Sequence, residues 1–133
     1  MNCFKKRSKA FTLIEVLMVV LIIGILFAFA LPSYLSSVRD TRQKTANSNA
    51  QTIAITVQAL YVRTGGLAYN HSSITEAAIL VELGGQVPIN PCTTGRSLTV
   101  DYQLVLTPST ATMSPLAGTL CDSAGMRTIT LAQ

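Results

Sequence analysis

Histidine is almost missing from this chain: His71 is the only one among 133 residues. A single histidine excludes the His-rich metal centres, and no cluster of His and Cys at ligand spacing accompanies it. It also leaves no nucleophile–histidine–acid set to assemble. No glycine-rich loop follows a strand pattern, so no phosphate cradle is expected. Internal repeats and low-complexity tracts are absent too. An enzyme is therefore not expected, and no cofactor or metal is implied.

Acidic residues are also few, six in all, and none lies in the first ten positions. Those ten residues, MNCFKKRSKA, carry Lys5, Lys6, Arg7 and Lys9. Without them, Arg39, Arg42, Lys44, Arg63, Arg96 and Arg127 face the six acidic residues and the body is neutral. The net charge of +4 is thus a property of a short basic leader. It gives little support to nucleic acid as a partner. Such a leader reads as a targeting segment and favours a cytoplasmic N-terminus, although Arg39, Arg42 and Lys44 beyond the following run dilute the asymmetry.

That run is Phe11–Leu31, FTLIEVLMVVLIIGILFAFAL, and Glu15 is its one charge. A helix of this length reaches roughly 30 Å and can cross a bilayer. A carboxylate costs on the order of 2.5–3.5 kcal/mol at mid-membrane and less near an end. The function of the chain therefore turns on what pairs with Glu15.

The helical pattern continues past Pro32, where a missing donor and a crowded Ala28 carbonyl predict a kink or weak turn. Leu35, Val38, Ala46, Ala50, Ile53, Val57, Leu60 and Tyr61 then recur at steps of mostly three and four. Gly65–Gly66 supplies a C-terminal stop. A helix over 11–64 follows, with 11–31 as the membrane and assembly segment and 32–64 as its amphipathic continuation. Residues 65–96 form a connecting region. Within it Ser73–Glu76 reads as a capping box ahead of a short helix that buries Ile74, Ala77, Leu80 and Leu83. From Ser97 the period changes to two: Leu98, Val100, Tyr102, Leu104 and Leu106 alternate with more polar residues, which predicts a half-buried strand. Pro108 and Pro115 bracket a loop, and Gly118–Asp122 and Met126–Leu131 read as two further strands. The expected fold class is α+β: a long N-terminal helical spine and a small antiparallel sheet over 97–133. A body this small gains from a staple. Cys92 and Cys121 offer one, worth roughly 3–4 kcal/mol as a disulfide; two buried free thiols are the alternative.

The unit Lys9-Ala10-Phe11-Thr12-Leu13-Ile14-Glu15, followed by an apolar helix and Pro32, resembles type IV pilins and pseudopilins, whose precursors share G-F-T-L-I-E at this place. The match covers the first 45 or so residues, with Ala10 standing where the family has glycine. The resemblance implies cleavage between Ala10 and Phe11 by a prepilin peptidase and N-methylation of Phe11. It implies that the new amine of Phe11 pairs with Glu15 of a neighbouring copy, although Glu15 of the same chain is also one turn away. It further implies local loss of helix around Gly24–Pro32 on assembly. The expected protein is a homopolymer subunit, held in the inner membrane as a precursor and then carried in a cell-surface filament. An inner-membrane platform and an assembly ATPase would be its further partners. The filament would support motility, adhesion or DNA uptake. A type II secretion pseudopilin is one alternative. A soluble secreted domain, cut after Ala30 in Ala28-Phe29-Ala30, is another. Asn70-His71-Ser72 has the form of a sequon and is expected to be coincidental.

Overall fold

The computed structural model describes residues 11–133. They form helix α1 (Leu13–Arg63), helix α2 (Glu76–Glu82), strands β1 (Val105–Leu106) and β2 (Thr110–Met113), a 3-10 turn (Ser123–Gly125) and strand β3 (Ile129–Ala132). The fold class is α+β. Two compact units are distinguished, one ending at Ser36 and one covering Ser37–Gln133.

In the first unit α1 is apolar all round. Every residue from 11 to 37 is exposed, and the large side chains from Leu13 at 84% to Ile23 at 45% have nothing to pack on within the single chain. A helix of this kind is stable only in lipid or against other helices. α1 runs unbroken through Pro32.

The second unit has an ordinary core. Ala50, Ile53, Ala54, Val57 and Leu60 of α1 pack with Tyr69, Ile74, Ile79, Leu98, Tyr102, Ala111 and Met113. Burial contributes about 1.5–3 kcal/mol for each large apolar side chain such as Ile53. α1 ends where its pattern predicts. Gly65 and Gly66 take φ of +85° and +68°. The Gly66 N–H donates to the Tyr61 carbonyl at 3.0 Å and the Gly65 N–H to that of Val62 at 3.1 Å. These are the two bonds of a Schellman cap. α2 closes in the same way: Gly85 donates to Leu80 at 2.8 Å and Gly84 to Val81 at 3.1 Å.

The N-terminus of α2 differs from expectation. Its cap is Thr75, whose hydroxyl accepts the Ala78 N–H at 3.2 Å, and Ser73 lies outside the helix. Residues 71–74 are committed elsewhere: the Ile74 N–H donates to the His71 carbonyl at 2.8 Å and the Ser73 N–H to His71 Nδ1 at 3.2 Å. The buried face shifts accordingly. Ile79 is fully buried and Ala77 is exposed.

The sheet has three strands in the order β1-β2-β3, both pairs antiparallel. Leu106 faces Ala111 across the first pair, and Met113 faces Ile129 across the second. The central strand, Thr110–Met113, lies where a loop is expected from the flanking prolines. Its TATM alternation is short, but it places Ala111 and Met113 in the core. The hairpin before it is closed by Thr107, whose N–H donates to the Thr110 carbonyl at 2.8 Å and whose hydroxyl accepts the Thr110 N–H at 2.9 Å.

One expected strand is shortened to β1 at its end, Val105–Leu106, and another, Gly118–Asp122, is absent. Residues 98–102 form turns, in which the Asp101 N–H donates to the Ser97 carbonyl at 3.0 Å and that of Leu104 to Leu98 at 2.9 Å. The Asp101 carboxylate accepts the Ser97 N–H at 2.8 Å and the Thr93 hydroxyl at 2.6 Å. Side-chain bonds to nearby backbone compete with a ladder. The period-two pattern arises because Leu98 and Tyr102 both point inward from one turn, leaving Val100 63% exposed. Gly118–Asp122 is likewise turn and bend. Gly118, at φ +58°, packs so closely on the Cys92 carbonyl that a side chain would not fit.

Candidate assembly site

Phe11 and Glu15 sit at the start of α1. Phe11 lies just before the first helical residue and is 75% exposed. Thr12 is the pivot. Its carbonyl accepts the N–H groups of Glu15 at 3.1 Å and Val16 at 3.4 Å, and its hydroxyl donates to Glu15 Oε2 at 3.4 Å. Thr12-x-x-Glu15 has the spacing of a capping box, and that spacing is the signal in the sequence that marks Thr12. Glu15 lies in the first turn, where the positive end of the helix dipole favours a carboxylate.

Among the described residues Thr12 is the one polar side chain bonded to Glu15, and no cation among them pairs with it. The carboxylate stands exposed among Leu13, Ile14, Val16 and Leu17. In water that arrangement costs little. In lipid or among packed apolar helices it leaves an acid seeking a positive charge.

Gly24 and Pro32 lie inside the continuous helix. A side chain at Gly24 would meet nothing within 4 Å, so no close packing within the chain demands glycine there. Pro32 has no N–H to offer Ala28; one turn on, the Ser36 hydroxyl donates to the Ser33 carbonyl at 2.9 Å. Ala10, the expected residue before the cleavage point, lies outside the described residues, as does the whole basic leader.

Residues 5–31 match the model of the prokaryotic N-terminal methylation motif. This is the leader signature of type IV pilins and pseudopilins. The match spans the basic leader, Glu15 and the apolar run up to the residue before Pro32. Neither the curated proteins nor the solved structures gave a match to the chain. α1 is the one helix among the described residues long and apolar enough to cross a membrane. Motif and helix together fit a membrane-anchored precursor of a surface filament. The motif implies processing by a prepilin peptidase and polymerisation, and the proteins that carry it as pilins are structural.

In the Ser37–Gln133 unit the structure joins Cys92 to Cys121, 29 positions apart in sequence, with Cα atoms 5.4 Å apart. Beside the disulfide lies a residue that sequence patterns do not flag, the fully buried Asn90. Its amide donates to the carbonyls of Asp101 at 2.8 Å and Leu116 at 3.0 Å, and its Oδ1 accepts the Cys92 N–H at 2.9 Å. The nearby Tyr102 hydroxyl donates to the Pro88 carbonyl at 3.0 Å, and burial pushes its pKa above the ordinary tyrosine value. Asn90, Tyr102 and the disulfide thus tie together residues 88–104 and 114–122, the stretches on either side of β1 and β2 that form neither helix nor strand.

Proposed function

We propose that the chain is the precursor of a structural subunit that polymerises into a type IV pilus-like filament and has no catalysis of its own. A prepilin peptidase cuts between Ala10 and Phe11, and Phe11 is methylated at its new amine. The apolar segment holds the chain in the inner membrane until an assembly ATPase and a membrane platform feed it into the filament. There the cationic amine of Phe11 meets Glu15 of an adjacent copy and sets the register between subunits. The observation that carries this reading is the lone carboxylate of Glu15, unpaired by any cation among the described residues, inside a motif-bearing apolar helix. Helix around Gly24–Pro32 is lost on assembly, because neighbouring subunits can then satisfy the backbone groups that a lone helix must keep bonded.

Two measurements test the reading. N-terminal sequencing of the mature chain is expected to begin at Phe11; a start at Leu31 would instead mean a secreted domain. Glu15→Ala is expected to leave the precursor processed and membrane-held while sheared filaments disappear. Undiminished filament yield would overturn the proposed pairing. Deletion that abolishes protein secretion but spares motility would assign the subunit to a secretion pseudopilus.

A further inference from the structure

An open groove of about 680 Å³ lies in the Ser37–Gln133 unit between α1 and β3, lined mainly by Ala54, Ile55, Ala59, Val62, Ile129 and Leu131. Ile55, Ala59 and Val62 follow one another at steps of four and three, which sets them on one face of α1. That face is separate from the one that builds the core. Ile53, Val57 and Leu60 are buried, whereas Ile55 and Val62 are 71% and 65% exposed. Of the polar side chains beside the groove, Gln58 accepts the Tyr69 hydroxyl at 2.7 Å, and Arg63, the one charge, pairs with Glu82. An occupant therefore meets mostly apolar surface.

The groove follows α1 from Gln51 to Arg63, about 20 Å of helix. Its occupant must be apolar over a similar length and must bring no charge to bury. Among the described residues one exposed stretch qualifies. Val16–Leu35 carries no charged side chain, and its large apolar side chains are exposed. The other exposed large apolar residues outside the groove, Leu67, Val81, Ile89, Val100 and Val105, stand singly in the sequence. The chain's own run does not fill the groove, since every residue from 11 to 37 is exposed. The run of another copy is free to do so, and the methylation motif implies that copies polymerise.

We propose that this groove receives the apolar run of a second copy in the polymer, with Ala59 as the low point against which the incoming helix packs. This rests on the reading of the chain as a polymerising subunit. A side chain as small as Ala59 lets two helix axes approach to about 8–10 Å. Each copy gives one surface and receives on a different one. Such a head-to-tail contact is not used up when two copies meet, so it repeats from one copy to the next.

The test is disulfide crosslinking in sheared filaments of the full chain. Cys3 is replaced by serine throughout, and Cys92 and Cys121 are already joined. Ala59→Cys is combined with one further cysteine in the run, placed in turn at each of residues 17–31. Oxidation is expected to give ladders of linked chains for a subset of run positions that recur at three and four residues, the facing side of a helix. No ladder at any position would overturn the proposal, and so would equal linking at all of them. Ala59→Cys alone is expected to run as a single chain on a non-reducing gel. Linked pairs from it would overturn the proposal too, by showing that like surface meets like. Ala59→Phe, which fills the groove, is expected to lower filament yield roughly tenfold, while Ala59→Ser leaves it unchanged. Both variants are expected to be processed and to unfold thermally as the native chain does; should Ala59→Phe unfold, the crosslinks decide alone. Undiminished yield from a folded Ala59→Phe would overturn the groove as a contact. A native chain that forms no filaments at all would refute polymerisation itself, which separates that failure from a failure of the groove.

Discussion

Asn90 shows how much one side chain can decide. It satisfies two carbonyls and one N–H in a fully buried place. Asn90→Ala would strand all three, and each unsatisfied buried group costs about 1–3 kcal/mol. The expected loss, allowing for partial relaxation, is about 2–4 kcal/mol in urea unfolding of the detergent-solubilised chain followed by circular dichroism. Asn90→Asp should be at least as damaging, because it sets a negative charge against two carbonyl oxygens. Nothing in the local pattern Pro88-Ile-Asn-Pro91 announces this role, since its partners lie 11 and 26 residues away. Glu15 is the opposite case. Its oddity is local, a single charge in a long apolar run, so it is legible without any structure.

At the scale of the element, legibility follows the range of the interactions. Both helix ends are written in Gly-Gly pairs, because the αL conformation of a Schellman cap is adopted at low cost only by glycine. Gly84, at φ +81° with nothing within 4 Å of a Cβ, isolates that backbone term. Gly84→Ala is expected to destabilise the folded unit by about 1 kcal/mol in the same urea assay. Gly24→Ala should act in the other direction, strengthening the helix by about 1 kcal/mol, since it removes only backbone freedom. Amide hydrogen exchange over residues 22–34 would register this as slower exchange. The strands were far less legible. β2 has four residues and little apolar content, while the stronger alternation over 98–106 mostly belongs to a turn held by Asp101. Alternation reports which side chains point inward; it does not report whether the backbone between them is extended.

At the scale of the molecule, the chain combines a segment whose apolar side chains are all exposed with a unit whose core is closed. The first requires lipid or other copies. The second requires its staple, because the stretch from Gly84 to Leu104 contains no helix or strand. Cys92→Ser/Cys121→Ser is expected to lose roughly 3–4 kcal/mol, from the greater freedom of the unfolded chain. Thermal unfolding with and without reductant checks this: reductant should lower the midpoint of the native chain and leave the double variant unmoved.

The sequence alone determined the basic leader, the apolar run with Glu15, the continuation of one helical face to Leu60 and the glycine stops. All of these depend on residues within a few positions of one another. Only the tertiary structure decided that TATM is the central strand, that Asn90 anchors the route to Cys121, and that Asn47 holds the 125–127 loop. Those outcomes depend on side-chain bonds to distant backbone, and such bonds leave no periodic trace in the chain.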